Sequence, residues 1–154
     1  MAKKIGVPEG MPSLTPQLHF NGDARTAVAW YQSAFGAQLR GEVVSTPDGK
    51  SVMHAMLDIG ASPFMAADVW PGWETGPSES TTVGMWVYVE DCDALWERAI
   101  GGEGADVLMP MADMFWGDRM GKLKDPFGHT WTIATQIELR DDEKKALQGS
   151  PASD

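Results

Sequence analysis

The chain has 154 residues, of which 43% are hydrophobic, enough for one ordinary domain or two small fused units. A formal net charge of −10 argues against binding nucleic acid or an anionic membrane through a basic patch. The single cysteine, Cys92, excludes an internal disulfide, and the sequence contains neither a membrane-length apolar run nor a secretory signal, so we expect a cytoplasmic protein.

The first half of the chain predicts one helix among four strands. Residues 1–13 are rich in Gly and Pro and predict a flexible arm. Apolar residues recur at helical spacing from Ala24 to Phe35, after the turn Asn21-Gly22-Asp23, which is expected to supply the N-cap, and Gly36 is expected to end the helix. Alternating polar and apolar residues predict four strands, namely Thr15–Phe20, Gln38–Ser45, Ser51–Ile59 and Phe64–Ala67.

The same order begins again after a Gly-, Pro- and Ser-rich link, Val69–Thr81. Asp91 and Asp93 are expected to cap a helix over Asp93–Ile100, with Leu95, Trp96 and Ala99 on its buried face. Cys92 is expected to be a surface or half-buried thiol. The tail from residue 138 has one short amphipathic segment, Asp141–Gln148, and then GSPASD, expected to be disordered. The predicted strands of this half are Val83–Val89, Ala105–Met109, Trp116–Lys124 and His129–Gln136.

The two halves match in spacing, which indicates an internal duplication. Asp23 precedes Gly36 by 13 residues, and Asp91 precedes Gly104 by the same distance. The turn glycines Gly60 and Gly128 are 68 residues apart, as are the two aspartates. We therefore predict one domain, residues 14–137, made of two βαβββ repeats, residues 14–68 and 82–137.

The stretch from Met114 to Ile133 concentrates the chemistry-bearing residues of the second repeat. The turn Asp125-Pro126-Phe127-Gly128 predicts a hairpin, with the segment Trp116–Arg119 at its mouth. The stretch holds two tryptophans, an Asp-Arg pair and one of the three histidines of the chain. The sequence therefore favours a ligand site near this hairpin.

Paired βαβββ units, together with several motifs, resemble the vicinal-oxygen-chelate superfamily of glyoxalases, extradiol dioxygenases and bleomycin resistance proteins. The specific pair of motifs is Trp116-Gly117-Asp118-Arg119 with Asp125-Pro126-Phe127-Gly128-His129-Thr130-Trp131. They are similar to a glyoxalase/bleomycin-resistance-like branch often labelled demethylubiquinone methyltransferase-like. No Gly-rich strand-to-helix loop supports a nucleoside cofactor, so we expect no cofactor.

The resemblance implies an α+β fold in which the tandem units form a curled mixed sheet, the cup, with helices on its outer face. It also implies that a metal, where present, takes ligands at the positions of Thr15 or Pro16, Phe64, Gly84 and Thr132. None of these is a usual ligand for a divalent metal, so we expect no metal site. The resemblance further implies a homodimer.

Strand alternation assigns the side chains of the cup. Trp86 and Tyr88 are suited to stack on a planar or cationic ligand, with the alternative that they fill a closed cup or a dimer seam. Asp118 and Arg119 at the hairpin mouth are suited to orient a polar group, with a structural ion pair as the alternative. The full lining is Gln17, His19, His54, Met56, Phe64, Trp86, Tyr88, Thr130 and Thr132. The predicted ligand-binding residues are Gln17, Phe64, Trp86, Tyr88, Trp116, Asp118, Arg119 and Thr132.

Three functions fit this lining. The first is a metal-free dimer that binds a small aromatic or amphipathic molecule in the cup. The second is a lyase or isomerase acting on a small oxygenated substrate, with His54 or His19 as the base; the alternative for each histidine is a structural hydrogen bond. The third is a structural or regulatory dimer whose cup is vestigial.

Overall fold

The computed structural model describes residues 2–149. The chain forms two compact units, one ending at Pro77 and the other beginning at Ser78, so the division lies inside the predicted link. Each unit contains one four-stranded mixed sheet with a helix packed on it. The predicted α+β class, built from two βαβββ units, is confirmed. No helix within residues 2–149 is both long enough and apolar enough to span a membrane.

The first unit follows the predicted order, with one helix after the first strand. Its strands are ordered β1-β4-β3-β2; β1 and β4 are parallel and the other neighbours are antiparallel. The helix has the predicted bounds, and the strand bounds differ by at most two residues. The elements are β1 (Gln17–Phe20), α1 (Ala24–Phe35), β2 (Gln38–Ser45), β3 (Val52–Ile59) and β4 (Ser62–Asp68).

The core of the first unit lies between α1 and its sheet. The predicted apolar face of α1 is buried, and Tyr31 and Phe20 are fully enclosed. Phe20 and Tyr31 meet edge to face, with ring centroids 6.2 Å apart. Gly36, in the left-handed conformation with φ of 65°, ends the helix as predicted.

Asp68, at the end of β4, caps the N-terminus of α1. Its Oδ1 accepts hydrogen bonds from the backbone N–H groups of Gly22 (2.9 Å) and Ala24 (3.0 Å), and its Oδ2 accepts one from Val52 (2.8 Å). Asp23 occupies the N-cap position, but its side chain makes no capping hydrogen bond. The predicted local cap is therefore wrong, because a carboxylate 44 residues away in sequence performs that role.

The second unit repeats the arrangement of the first, with strand order β5-β8-β7-β6 and the parallel pair again formed by its first and last strands. β6 continues five residues past its predicted end at Met109. It is an edge strand with irregular register around Pro110, where a missing N–H is tolerated. The elements are β5 (Gly84–Tyr88), α2 (Cys92–Ile100), β6 (Asp106–Met114), β7 (Asp118–Lys124), β8 (Thr130–Gln136) and α3 (Asp141–Gln148).

α2 packs on its sheet through Trp96, Ala99 and Cys92, which are buried, whereas Leu95 is only half-buried. The expectation of a surface or half-buried thiol is wrong, because the helix begins one residue earlier than predicted and Cys92 is buried in its first turn. Gly121 of β7 lets the Trp96 ring approach, since a Cβ there would lie 2.8 Å from it. Apart from Gly149, the predicted disordered segment lies outside the described residues.

The turn between β7 and β8 is organised by a buried carboxylate. Asp125 Oδ1 accepts hydrogen bonds from the backbone N–H groups of Phe127 (2.9 Å) and His129 (3.0 Å). Its Oδ2 accepts one from Trp131 Nε1 (2.9 Å). Gly128, with φ of 103°, completes the turn. This motif therefore fixes the hairpin, and its conspicuous residues support the fold.

Candidate functional site

Each sheet has one face covered by its helix and an opposite face, here called its open face. In the first sheet the buried residues Leu18, Ala55 and Leu57 lie on the helix side. By alternation, Gln17, His19, His54 and Met56 lie on the open face, as predicted. The register places Gln17 beside Met65 and His19 beside Ala67. The first sheet therefore presents both candidate histidines on its open face.

Phe64 does not belong to that lining. It pairs with Leu57 across β3 and β4, so both side chains point to the helix side. Its ring meets Tyr31 of α1 edge to face, with centroids 5.6 Å apart, and is buried. The predicted place of Phe64 in the cup lining is wrong, because the antiparallel pairing of β3 with β4 sets Phe64 beside Leu57, whose side chain lies in the core.

A cavity of about 550 Å³ lies at the end of the first sheet. Gln17 and His19 line it from β1, and Ala67 lines it from β4. His54, although on the same face, is not among its lining residues in the described part of the chain. The other lining residues come from the β2–β3 turn, the start of β3, the end of β4 and the segment after it: Thr46, Ser51, Val52, Met53, Asp68, Val69, Trp70, Pro71, Trp73 and Glu74.

The segment Trp70–Glu74 forms the outer part of this cavity as a closed turn. The N–H groups of Trp73 and Glu74 donate to the carbonyl oxygen of Trp70, at 3.0 and 3.3 Å. The Trp70 N–H in turn donates to Glu74 Oε2 at 2.7 Å. The Trp73 side chain is 83% exposed and also lines a second, more open depression with His19. The turn thus holds two indole rings and one carboxylate at the cavity.

The sequence pattern does not predict the site residues Trp70, Trp73 and Glu74. They lie in a Gly- and Pro-rich link, a context that predicts a connection and supplies no strand alternation from which to assign a face. The available signal was composition, since two tryptophans in a polar link have no predicted core to enter. The hydrogen bond from Trp70 to Glu74 depends on the closed turn and is not visible in the residue pattern.

The open face of the second sheet carries a group of aromatic side chains around one carboxylate, here called the Asp118 cluster: Trp86, Tyr88, Trp116 and Asp118. The Tyr88 hydroxyl donates to Asp118 Oδ2 at 3.0 Å, and Trp116 Nε1 donates to the same oxygen at 2.8 Å. Asp118 is 7% exposed, whereas Trp86 and Tyr88 are 46% and 60% exposed. The cluster thus unites four of the predicted ligand-binding residues.

Tyr88 is polarised by its neighbour. The hydrogen bond to Asp118 raises the pKa of Tyr88 above its ordinary value of 10.0, and an interaction with the Trp86 side chain lowers it by less. Tyr88 therefore remains a neutral phenol whose proton is directed to Asp118. Thr132, which pairs with Trp86 in the sheet, also lies on this face, but its side chain is only 4% exposed.

Arg119 lies on the opposite side of β7 from Asp118. Its guanidinium forms bidentate contacts with Asp93 of α2, at 2.8 to 3.0 Å, and contacts Asp113 of β6 at 2.9 Å. These contacts raise the pKa of Arg119 and lower that of Asp93. The predicted convergence of Asp118 and Arg119 is wrong, because consecutive strand residues point to opposite faces.

The capping expectation for the second helix is therefore half correct. Asp91 is the N-cap of α2, and its side chain accepts from the Ala94 N–H at 3.0 Å. Asp93, in the first turn, instead pairs with Arg119. Arg119 is a structural residue that joins α2 to β6 and β7.

The residues do not fit a divalent metal of the kind that the resemblance implies. Phe64 is packed against α1, and Thr132 is a buried hydroxyl, so neither offers a carboxylate or an imidazole. Across residues 2–149, no three His, Cys, Asp or Glu side chains lie close enough together to hold a metal ion. Of the positions that the resemblance assigns to a metal, Phe64 therefore packs in the core and Thr132 is a buried residue of the sheet.

Comparison with known proteins assigns the fold to a family. A sequence model of the glyoxalase/bleomycin resistance protein/dioxygenase superfamily matches residues 17–133. An uncharacterised protein of Mycobacterium bovis is 37% identical over 146 residues, which cover 90% of this chain and 93% of that protein. The crystal structure of a Pseudomonas aeruginosa protein, PA1353, is 26% identical, covers 83% of this chain and 100% of its own, and has a TM-score of 0.66.

A PhnB protein from Bacillus cereus matches with a TM-score of 0.65 over 80% of this chain and 99% of its own, and its 19% identity supports a likeness of fold alone. The fold, the duplicated units and the matched residues agree with one another. The chain belongs to the glyoxalase/bleomycin resistance protein/dioxygenase superfamily.

Proposed function

We propose that this protein reversibly binds a small, partly aromatic molecule without the help of a metal. The observation that carries the proposal is the cavity of about 550 Å³ at the end of the first sheet. Small-molecule sites in proteins commonly have volumes of about 300 to 1,000 Å³. The cavity is therefore large enough for a ligand of one or two fused rings.

The chemistry of the lining supports an amphipathic ligand. Trp70, Trp73 and Met53 supply aromatic and polarisable surface, which suits the faces of a planar ring. Gln17 and His19 supply a few polar atoms at one side. A mostly apolar wall with a small number of polar groups is the usual composition of a ligand site, because the apolar wall gives affinity and the polar groups fix orientation.

The test is a fluorescence titration with N-phenyl-1-naphthylamine, a neutral aromatic dye that brightens in apolar sites. We expect saturable binding that weakens on Trp73→Ala, which removes an exposed aromatic wall, and on Gln17→Trp, which narrows the cavity from an exposed position. Leu108→Ala is the control, because it removes an exposed apolar side chain of the second unit that lies outside the Asp118 cluster. The proposal fails if the dye does not bind, or if only the control substitution weakens binding.

A second candidate function is a lyase or isomerase that acts on a small oxygenated substrate. The observation in its favour is that His19, one of the two predicted bases, lines the cavity. The expected activity is proton exchange at carbon atoms next to a carbonyl. Small hydroxyketones incubated in deuterated water with the protein should exchange faster than without it, and His19→Asn should abolish the difference. Equal exchange with and without the protein argues against an enzyme.

We also propose that the protein works as a homodimer in the cytoplasm. The sheets of both units end in edge strands, and exposed sheet edges are commonly covered by a partner in stable proteins. A single cysteine suits a reducing compartment. Sedimentation at micromolar concentration should give the mass of a dimer; a single monomeric species would contradict this part of the proposal.

A further inference from the structure

The Asp118 cluster directs its hydrogen-bond donors inward. Tyr88 O–H and Trp116 N–H both donate to Asp118 Oδ2, and the Trp86 side chain interacts with the Tyr88 hydroxyl in the sense that stabilises negative charge on its oxygen. An ionised carboxylate can accept hydrogen bonds but cannot donate them. The donors of these three aromatic residues are therefore engaged within the cluster.

The cluster turns aromatic faces outward. Trp86 and Tyr88 lie 6.0 Å apart between ring centroids, tilted by 43°, and Trp116 is 53% exposed. Aromatic faces attract cations, and tryptophan does so most strongly. The buried carboxylate of Asp118 lies beside two of these side chains, because it accepts hydrogen bonds from Tyr88 and Trp116. The rings and the carboxylate therefore both favour positively charged ligands.

The cationic side chains of β7 lie away from the Asp118 carboxylate. Lys122 of β7 lies on the same face and pairs with Thr132, which in turn pairs with Trp86. This places the lysine two strands from the tryptophan and four residues from Asp118 along β7. Arg119, the nearest cation in sequence, points to the other face, where Asp93 and Asp113 neutralise it. The negative charge of Asp118 thus dominates beside Tyr88 and Trp116.

We propose that the Asp118 cluster binds planar organic cations, which stack on Trp86 and Tyr88 with their positive charge toward Asp118. The ligand class follows from the inward donors, the outward rings and the carboxylate beside them. The acidic net charge of −10 adds long-range attraction for a cation. All four residues of this site belong to the second unit, so ligand binding here can be tested separately from ligand binding in the cavity of the first unit.

The experiment compares two probes that share one ring system. Proflavine is a planar cation with amino donors, and acridine-9-carboxylate is a planar anion of similar size. Fluorescence titration of the full chain should show saturable proflavine binding and much weaker binding of the anion. Equal affinity for the two probes would overturn the proposal, because the recognition would then depend on the ring alone.

Variants locate the bound cation. Trp86→Ala should weaken proflavine binding by about 3- to 30-fold through the loss of one stacking face. Asp118→Asn, which keeps the shape of the side chain and removes its charge, should weaken it by a similar factor. Lys122→Gln is the control and should leave the affinity for proflavine unchanged or slightly improved. Trp73→Ala changes the cavity of the first unit, so it should also leave the affinity for proflavine unchanged. Unchanged affinity in both Trp86→Ala and Asp118→Asn would refute the proposal.

A second measurement checks the geometry of the cluster without any ligand. The chain has two tyrosines, so the contribution of Tyr88 to the phenolate absorbance titration is obtained as the difference between the protein and Tyr88→Phe. Asp118→Asn should lower the pKa of Tyr88 toward its ordinary value, because the charged acceptor is removed. A Tyr88 titration that is identical with and without Asp118→Asn would show that Tyr88 and Asp118 do not interact, and would remove the basis of the site. Because Trp86 is exposed, Trp86→Ala remains a test of the site if Asp118→Asn fails to fold.

Discussion

Asp68 is the residue whose replacement tests the architecture of the first unit most sharply. Its carboxylate connects the end of β4 with the start of α1 and the start of β3, through three backbone hydrogen bonds of 2.8 to 3.0 Å. In Asp68→Ala the helix loses its capping acceptor, which costs about 1 kcal/mol. The Val52 N–H also loses its partner, which adds about 1 to 3 kcal/mol for a donor left without a hydrogen bond.

The expected loss of unfolding free energy for Asp68→Ala is therefore about 2 to 4 kcal/mol. Asp23→Ala is the matched control, because Asp23 occupies the N-cap position but its side chain, within residues 2–149, accepts only from the exposed Asn21 N–H, at 3.2 Å. It should cost less than about 1 kcal/mol. Urea unfolding followed by circular dichroism measures both values. Losses of equal size would refute the reasoning, because the cap would then be local.

The remaining predictions concern packing and charge. Gly121→Ala should destabilise the protein by about 1 to 3 kcal/mol, because its new methyl group would lie 2.8 Å from the Trp96 ring, whereas Gly84→Ala has room and should cost little. Phe64→Ala should cost about 3 to 5 kcal/mol in urea unfolding, and a smaller loss would mean that its ring is not in the core. Arg119→Gln should cost less than about 1 kcal/mol at neutral pH, since its ion pairs are solvent-exposed. Because Arg119 lowers the pKa of Asp93, that difference should be present above pH 3.8 and fade as the pH falls through the lowered pKa; a pH-independent difference would contradict it.

Much of the fold was predictable, because periodicity and turn residues act locally. The bounds of α1 and the existence of all eight strands followed from apolar spacing and from glycines such as Gly36. The duplicated strand order followed from equal spacing between the two halves. The extension of β6 through Pro110 did not, because tolerance of proline depends on the edge position of the strand, which is set by sheet pairing.

The candidate site was predictable only in part. Alternation correctly placed His19, Trp86 and Tyr88 on open faces, since each lies in a regular strand. It misplaced Phe64, because the face of β4 is set by its pairing with β3, which the sequence does not reveal. Trp73 was missed because its role depends on a turn that is closed by hydrogen bonds within Trp70–Glu74, which the residue pattern does not reveal.

The central claim is that the cavity under the segment Trp70–Glu74 holds a small aromatic ligand. Its most direct test is a titration with N-phenyl-1-naphthylamine, followed by NMR through the indole N–H signals of the seven tryptophans. Single tryptophan substitutions assign the signals. Saturable shifts of the Trp70 and Trp73 signals, with the buried Trp131 signal unchanged, are the result that the proposed site predicts. Binding that leaves both signals in place would contradict it.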